Sequence, residues 1–520
     1  MFSHDSCIVF KEAPIYNKTM NTNKIKKLNI DLVPEWVNPT PDYYCTWQTQ
    51  LYATCDGKPA GQRAIIGENG MFDRQKPYGW AYFYKEARGD LLFVMDDSWD
   101  VPVKDDPTYY GSLLLNKEKF PAAYNGTHQP TQALKALTQR VKELGWKGLG
   151  GWVCAQESER FCKGRTPEQY WTDQLKAAHQ AGFAYWKVDW GKKDTDRDFR
   201  QMLTRLGRRY APNLVIEHAK CPAAVPLGDC YRTYDVPAIL SIPMTLHKLK
   251  ELAGSPAPAL GNRGLLNCED EAYIAAAFGC AMGIMRHPYR GNFVNGKADM
   301  SFPAFHRDLK SKMTEVTRAV RWHRLAPAFG WGTTPLELDP LELDDCWQFV
   351  NHAEELEEWW FRKPFIQSAL VNDILTKSAP ARMGRNAPLA QVTPDEQGQV
   401  PYTLTCRHPN GAFSVATLGR TLRRQYLLPR CRVRVCCDTA TTFGIFGDYR
   451  QLTLDTKHPT ITRVLMQDLA DHTAWDVTDA VTVEGGTVTL PGELIRGIGT
   501  LAQPAEDTSE PGVVVRLVTP

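Results

Sequence analysis

Little in these 520 residues points to a membrane, a nucleic acid or a nucleotide. No apolar run approaches the roughly 18 residues that a spanning helix needs, so no membrane segment is expected. Lys and Arg number 61 against 59 Asp and Glu, a net charge of +2, so composition offers no case for binding nucleic acid or polyanions. No Gly-x-Gly-x-x-Gly or P-loop lysine pattern follows an early strand, which argues against nucleotide binding. The 14 cysteines include no Cys-x-x-Cys pair. Cys436 and Cys437 are adjacent, and Cys154 and Cys162 flank an expected loop. That is neither a zinc pattern nor a dense disulfide framework, and most are expected as buried thiols. Internal repeats and low-complexity tracts are also lacking. Cys7-Ile-Val-Phe10 is too short for a secretory core and runs into charge, so the chain as written is expected in the cytoplasm. Met20 is a second plausible opening and keeps export open.

What the chain has in quantity is tryptophan, 15 residues in all. Indole faces are surfaces on which sugar C–H faces stack, although most Trp in any protein belong to the core. The most informative stretch is Phe183-Ala-Tyr-Trp-Lys-Val-Asp-Trp190-Gly191, which reads as a β-strand ending at a glycine. Alternation puts Tyr185, Lys187 and Asp189 on one side. A Lys and a carboxylate at the end of an apolar strand, between tryptophans, suit a sugar site. They suit a buried ion pair equally well.

Similar strands on both sides decide the context. Tyr43-Tyr-Cys-Thr-Trp-Gln48 is the first, after a polar lead-in (1–40) carrying Lys24-Ile-Lys-Lys27. A Gly- and aromatic-rich insertion, roughly 51–90, ends in the strand-like Trp80-Ala-Tyr-Phe-Tyr84. Leu91-Leu-Phe-Val-Met-Asp-Asp97 follows, and then strands and helices alternate. A helix through Leu134, Leu137, Val141 and Leu144 stops at Gly145 and feeds Lys147–Val153. Thr166-Pro-Glu-Gln169 has the form of a capping box with Pro in the first turn, and its helix ends at Gly182. Later strands are expected at Asn213–His218, Cys230–Val236, Gly264–Asp270 and Ile284–Pro288. An Ala-rich helix is expected from about Glu271 to Met282, and a helix with Phe305, Leu309, Met313, Val316 and Val320 closes the series.

Eight strands over about 290 residues match a (β/α)8 TIM barrel, assigned to 41–330. Chemistry in such barrels sits at the C-terminal strand ends, where Asp96, Asp97, Asp189, Glu217, Asp235, Glu269 and Asp270 all fall. From 331 to 520 alternating strands such as Arg432–Val435 and Val513–Leu517 predict a C-terminal all-β antiparallel sandwich. Nothing in it looks catalytic. The acidic run Glu354–Glu358 reads as a solvated edge.

Taken in order, the barrel motifs resemble clan D of the glycoside hydrolases, and within it family 27, the α-galactosidase-like enzymes. Met95-Asp-Asp-Ser-Trp99 resembles that family's Asp-Asp-Cys-Trp signature, and Phe120-Pro121 its Phe-Pro. Trp186-Lys-Val-Asp189 is similar to its Lys-x-Asp at strand four, Glu217 to its strand-five Glu, and Arg232 with Asp235 to its strand-six Arg and Asp. Asn267-Cys-Glu-Asp270 faintly resembles its strand-seven motif. The likeness covers roughly 40–300. Three features depart from it: Trp190-Gly191 replaces the Cys after the catalytic strand, Arg232 and Asp235 lie one residue closer, and the 51–90 insertion is long.

The resemblance implies a retaining exo-glycosidase acting on α-galactosides, or on α-N-acetylgalactosaminides or β-L-arabinopyranosides. Asp189 would be the nucleophile and Asp235 the acid/base, about 5–5.5 Å apart across the anomeric carbon. Lys187 would favour ionised Asp189, while Tyr234 and the neighbouring carboxylate would keep Asp235 protonated. Asp96 and Asp97 would grip sugar hydroxyls, and at least one of them must lie past the strand end for both to reach the sugar. Lys187, Glu217 and Arg232 would bind further hydroxyls, with Trp47, Trp99 and Trp152 as candidate stacking walls or core. The expected partner is a carbohydrate. No metal or organic cofactor is implied, since His218, His247 and His287 lack ligand spacing. A non-catalytic sugar-binding barrel and a Schiff-base aldolase using Lys187 are the alternatives.

Overall fold

The computed structural model describes residues 24–54, 59–233, 242, 245–246, 249, 265–269, 271–285, 287–289, 292–294, 297–299, 312–334, 341–343, 381–422 and 425–520. Eight parallel strands close into a barrel. They are β1 (Tyr43–Cys45), β2 (Leu92–Met95), β3 (Gly148–Val153), β4 (Tyr185–Val188), β5 (Val215–His218), β6 (Cys230–Arg232), β7 (Leu265–Glu269) and β8 (Ala281–Ile284). β8 pairs back onto β1 and completes the ring.

Strand β4 shows why the sequence folds this way. Tyr185 and Lys187 are fully enclosed inside the barrel, while Trp186 turns outward against Trp171 of the helix layer, ring centroids 6.0 Å apart. A Cβ on Gly150 of β3 would lie 2.5 Å from the Tyr185 Cβ, so only glycine lets the two strands hold that bulky ring. The helix feeding β4 runs from Pro167 to Ala181. Thr166 and Gln169 exchange side-chain and backbone hydrogen bonds at its start, and Gly182 ends it in the left-handed conformation at φ 66°.

Two sequence expectations need correction. The stretch after β1 forms helices α1 (Trp47–Thr54), α2 (Pro59–Ile65) and α3 (Glu68–Phe72), and Trp80–Tyr82 is a 3-10 turn, not a strand. Gly79 at φ 80° breaks the extended path there, and the Trp80 indole donates to the Pro77 carbonyl from a fully buried position. The aromatic run therefore reflects burial and not strand pairing. The Ala-rich helix is also shorter than expected. It spans Ala272–Phe278 and stops at Gly279, φ 63°, so Ala281–Ile284 becomes the eighth strand, ahead of Ile284–Pro288. Of the closing helix, Met313–Leu325 is described, whereas Phe305 and Leu309 lie outside the described residues.

Two further sheets, of nine and five strands, form a β-sandwich. Pairing is mostly antiparallel, with parallel pairs such as Phe413–Leu418 beside Thr442–Phe446. The strand Gly512–Val518 shows how the larger sheet is buried on both faces. Val513 and Val515 enter the core between the sheets with Leu452 and Leu490, while Val514 joins the core shared with the barrel helices. Lys26–Leu28 adds an edge strand to this sheet by pairing with Ala474–Asp476. Among the described residues, no helix is long and apolar enough to cross a membrane.

Candidate active site

The floor of the barrel mouth is built from inward side chains of β1, β4 and β5. Glu217 Oε2 accepts the Tyr185 hydroxyl at 2.7 Å and the Tyr43 hydroxyl at 3.2 Å. Lys187 is 1% exposed and its Nζ lies 2.8 Å from Asp96 Oδ2. The Cys45 thiol donates to that same oxygen at 2.8 Å. Strand β2 ends at Met95, so Asp96 and Asp97 both lie beyond it and are freed from strand alternation. Asp96 Oδ1 accepts the Asp97 backbone N–H, which fixes the turn.

Asp189 lies just past β4, its backbone N–H donating to the Val153 carbonyl. One carboxylate oxygen meets Arg232 Nη2 at 2.8 Å, and the other accepts the Trp152 indole N–H at 3.2 Å. Arg232 Nε stands 3.9 Å from Glu217 Oε1, linking floor and rim. Burial pushes the Asp189 carboxyl up, but Arg232 first, then Lys187 and Lys220, outweigh it and hold the group at about 2. Asp189 is therefore an ionised carboxylate across the neutral range, with 15% of its side chain exposed.

Asp97 is in the opposite condition. Burial raises its carboxyl to about 7 even though Arg63 Nε lies 3.1 Å from Oδ2 and the Ser98 hydroxyl donates to Oδ1 at 2.7 Å. Arg63 comes from α2, in the inserted segment. Its other partner is Asp105, and its guanidinium lies over the Tyr110 and Trp190 rings at 5.4 and 5.3 Å. Lys119 ties this arrangement together by donating to the carbonyls of Arg63 and Ser98 at 2.7 and 2.6 Å.

The structure brings Asp96, Asp97, Lys187, Asp189, Glu217, Arg232 and Trp152 to one end of the barrel. Trp152 is enclosed; its N–H meets Asp189 while its ring packs on Trp190. Trp47 is half-buried at the start of α1. Trp99 cannot serve as a stacking wall. Ser98 at φ 75° swings the chain, and Trp99 lies fully buried against Phe183 and Gly151, outside the barrel. Asp235, Asp270, His247 and the Glu269 side chain lie outside the described residues.

Two residues escaped the sequence reading. Arg63 had no local signature. Arg200 did have one, since it falls among Phe199, Leu203 and Thr204 on the buried face of the helix Arg197–Tyr210. Its guanidinium caps the carbonyls of Val188, Asp189 and Asp194, each at 2.8 Å, and so fixes the end of β4. Cys154 is a free thiol, and Gly191, at φ 153°, folds tightly over Ala155, where a Cβ would come within 2.6 Å of the backbone. His218 sits between Arg200 and Thr204, and burial followed by Arg200 holds it neutral. No cluster able to hold a metal ion occurs among the described residues. Schiff-base chemistry needs an accessible, neutral amine. The Lys187 amine is enclosed and paired with Asp96.

A closed (β/α)8 barrel joined to a β-sandwich, with its acids and cations gathered at the C-terminal strand ends, is the architecture these observations define. No protein-family model matches the chain, and no curated protein matches it. Among solved structures it is similar to α-galactosidase I from Mortierella vinacea, at 10% identity over 93% of this chain and 98% of that one, TM-score 0.39. It is similar also to an α-galactosidase from Saccharomyces cerevisiae, at 9% identity over 92% and 98%, TM-score 0.36. A third is an α-amylase from Geobacillus thermoleovorans, at 9% over 93% and 100%, TM-score 0.43.

Proposed function

We infer that the chain is a retaining exo-glycosidase for galacto-configured sugars, with Asp189 as nucleophile. The observation that carries this reading is the state of Asp189. It is a carboxylate held ionised by Arg232 at the open end of a barrel strand, with one oxygen oriented by the Trp152 N–H. A nucleophile that forms a glycosyl-enzyme must be deprotonated, fixed and reachable.

The chemistry proceeds in two displacements. Asp189 attacks the anomeric carbon as the acid, proposed as Asp235, protonates the leaving oxygen. Water, deprotonated by that same residue, then releases the sugar with its original anomeric configuration. Lys187, Asp96, Glu217 and Arg232 offer donors and acceptors for the hydroxyls of the bound ring. The order of motifs that resembles clan D supports the galacto configuration.

The test is a panel of aryl glycosides, with the anomer of the first-formed product followed by NMR. Retention on a galacto-configured substrate is expected. Inversion would exclude Asp189 as a covalent nucleophile. Binding of galactose without turnover of any glycoside would favour a sugar-binding barrel instead.

A further inference from the structure

We propose that Trp190, clamped by Arg63, is the platform on which the substrate's leaving group rests, selecting groups with a flat apolar face. This rests on the glycosidase reading and names the part of the substrate that the floor of the site leaves unspecified.

The direction of the leaving group follows from the gradient of exposure. Lys187, Glu217 and Trp152 are enclosed, so they close the inner end of the site. Asp189 is partly exposed, and Trp190, the next residue, is half-buried. Among the described residues, a sugar whose anomeric carbon lies at Asp189 with its ring over the enclosed groups has its leaving group directed toward the rim. Trp190 stands at that rim.

The Trp190 ring is held from three sides. Trp152 packs on it with centroids 5.0 Å apart, Tyr110 meets it edge-on at 5.2 Å, and the Arg63 guanidinium lies 5.3 Å from its centre. Its backbone carbonyl accepts the Ala155 N–H at 2.8 Å. Arg63 is itself anchored by Asp97 and Asp105, and Lys119 grips the carbonyl of the same residue. An indole fixed in this way has already lost its rotamer freedom, so stacking on it carries little further ordering cost. Trp190 is not itself among the buried core: it packs, partly exposed, against a small cluster of Val101, Tyr110, Trp152 and Cys154. The chemistry that would use it is stacking of a pyranose C–H face or an aryl ring.

The experiment compares kcat/KM for three galacto-configured substrates: an aryl glycoside, a disaccharide, and the glycosyl fluoride, whose leaving group has no ring. The readout is the ratio of each ring-bearing substrate to the fluoride, so any general effect on Asp189 cancels. Trp190→Ala should lower that ratio about threefold to tenfold, the range of one aromatic contact. Trp190→Phe should restore most of it, and Arg63→Met should lower it less. A fall confined to the aryl glycoside assigns an aromatic leaving group, and one confined to the disaccharide assigns a second sugar. Should Trp190→Ala not fold, Trp190→Leu against Trp190→Phe makes the same comparison. Ratios equal to those of the unmodified protein would overturn the platform and leave the glycosidase reading intact. Failure of the unmodified protein to turn over any substrate of the panel would remove that reading, and the platform with it.

Discussion

Among the described residues, the arginine–aspartate pairs Arg318–Asp468 and Arg232–Asp189 are of one chemical kind and differ in what surrounds them. Where barrel meets sandwich, Arg318 grips Asp468 through Nε and Nη2 at 2.8 and 3.0 Å, both side chains fully buried. The rest of that guanidinium is spent on the Glu510 carbonyl and the Tyr273 hydroxyl, and Asp468 also accepts backbone N–H groups from Ala470 and Ala502. At the barrel mouth, Arg232 Nη2 meets Asp189 at 2.8 Å, and Asp189 keeps 15% of its side chain exposed. The first pair is saturated and closed, which suits a structural joint. The second leaves a fixed anion within reach of something that enters from outside. A buried ion pair by itself therefore says nothing of function; what distinguishes the mouth is the partly exposed side chain of its anion.

Replacing each anion or its cation tests this contrast, and the largest effect is expected at the mouth. Asp189→Asn should lower kcat at least about a thousandfold, the scale on which removal of a covalent nucleophile is felt. Its fold should survive, since the amide keeps the volume of the carboxylate. Steady-state kinetics beside a thermal melt reads both. Residual activity within about tenfold of the parent would mean that Asp189 is not the nucleophile.

At the joint the effect should fall on stability. Arg318→Met strands Asp468 without its cation in a closed site and should cost about 3–5 kcal/mol. The double change Arg318→Met with Asp468→Leu should recover most of that, because apolar groups of similar volume replace a buried pair at little cost. Denaturant titration of the two variants checks the claim. Equal stability of the single and double variants would show that the joint is not a closed ion pair.

A smaller effect is expected from Arg232→Met. The depressed carboxyl of Asp189 makes a stability contribution of about 2 kcal/mol that is complete above the unfolded carboxyl value of 3.8 and lost as pH falls toward about 2. Without Arg232 the largest of the lowering influences is gone, so the carboxyl rises and that contribution shrinks. The acid limb of kcat/KM, which reports the free protein, should accordingly move to higher pH. An unmoved limb would mean that Arg232 does not set the charge of Asp189.

The same contrast explains what was legible in the sequence. Inward Lys187 and outward Trp186 follow from strand alternation, and the capping residues Thr166 and Gly182 mark their helix because the signals are local. Arg63 reaches Asp97 across 34 positions, and Arg318 reaches Asp468 across 150, so no spacing announces either pair. Trp99, open between stacking wall and core in the sequence, falls to the core for a different reason. Alternation gives a side chain's direction only while the strand lasts, and the left-handed Ser98 intervenes before it. The aromatic run at Trp80 matched strand propensity, yet its burial is imposed by neighbours such as Gly70, where a Cβ would lie 2.8 Å from the indole.

The finest test concerns the second oxygen of Asp189. Trp152→Phe removes one N–H while leaving a ring against Trp190, so the site loses a hydrogen bond to a charged group and little packing. Such bonds contribute about 1.5–3 kcal/mol at most, and at 3.2 Å this one should lie at the low end, a fall of roughly tenfold in kcat. The loss should appear in kcat more than in KM, because the bond orients the attacking atom and does not touch the sugar. The acid limb should rise as well, by less than in Arg232→Met, since the indole lowers the Asp189 carboxyl less than the guanidinium does. Asp468, already saturated by its arginine and two backbone N–H groups, offers no counterpart to this change. A Trp152→Phe variant whose kcat and acid limb both match the parent would mean that one cation is enough to fix Asp189, and the mouth would then be closer in kind to the joint.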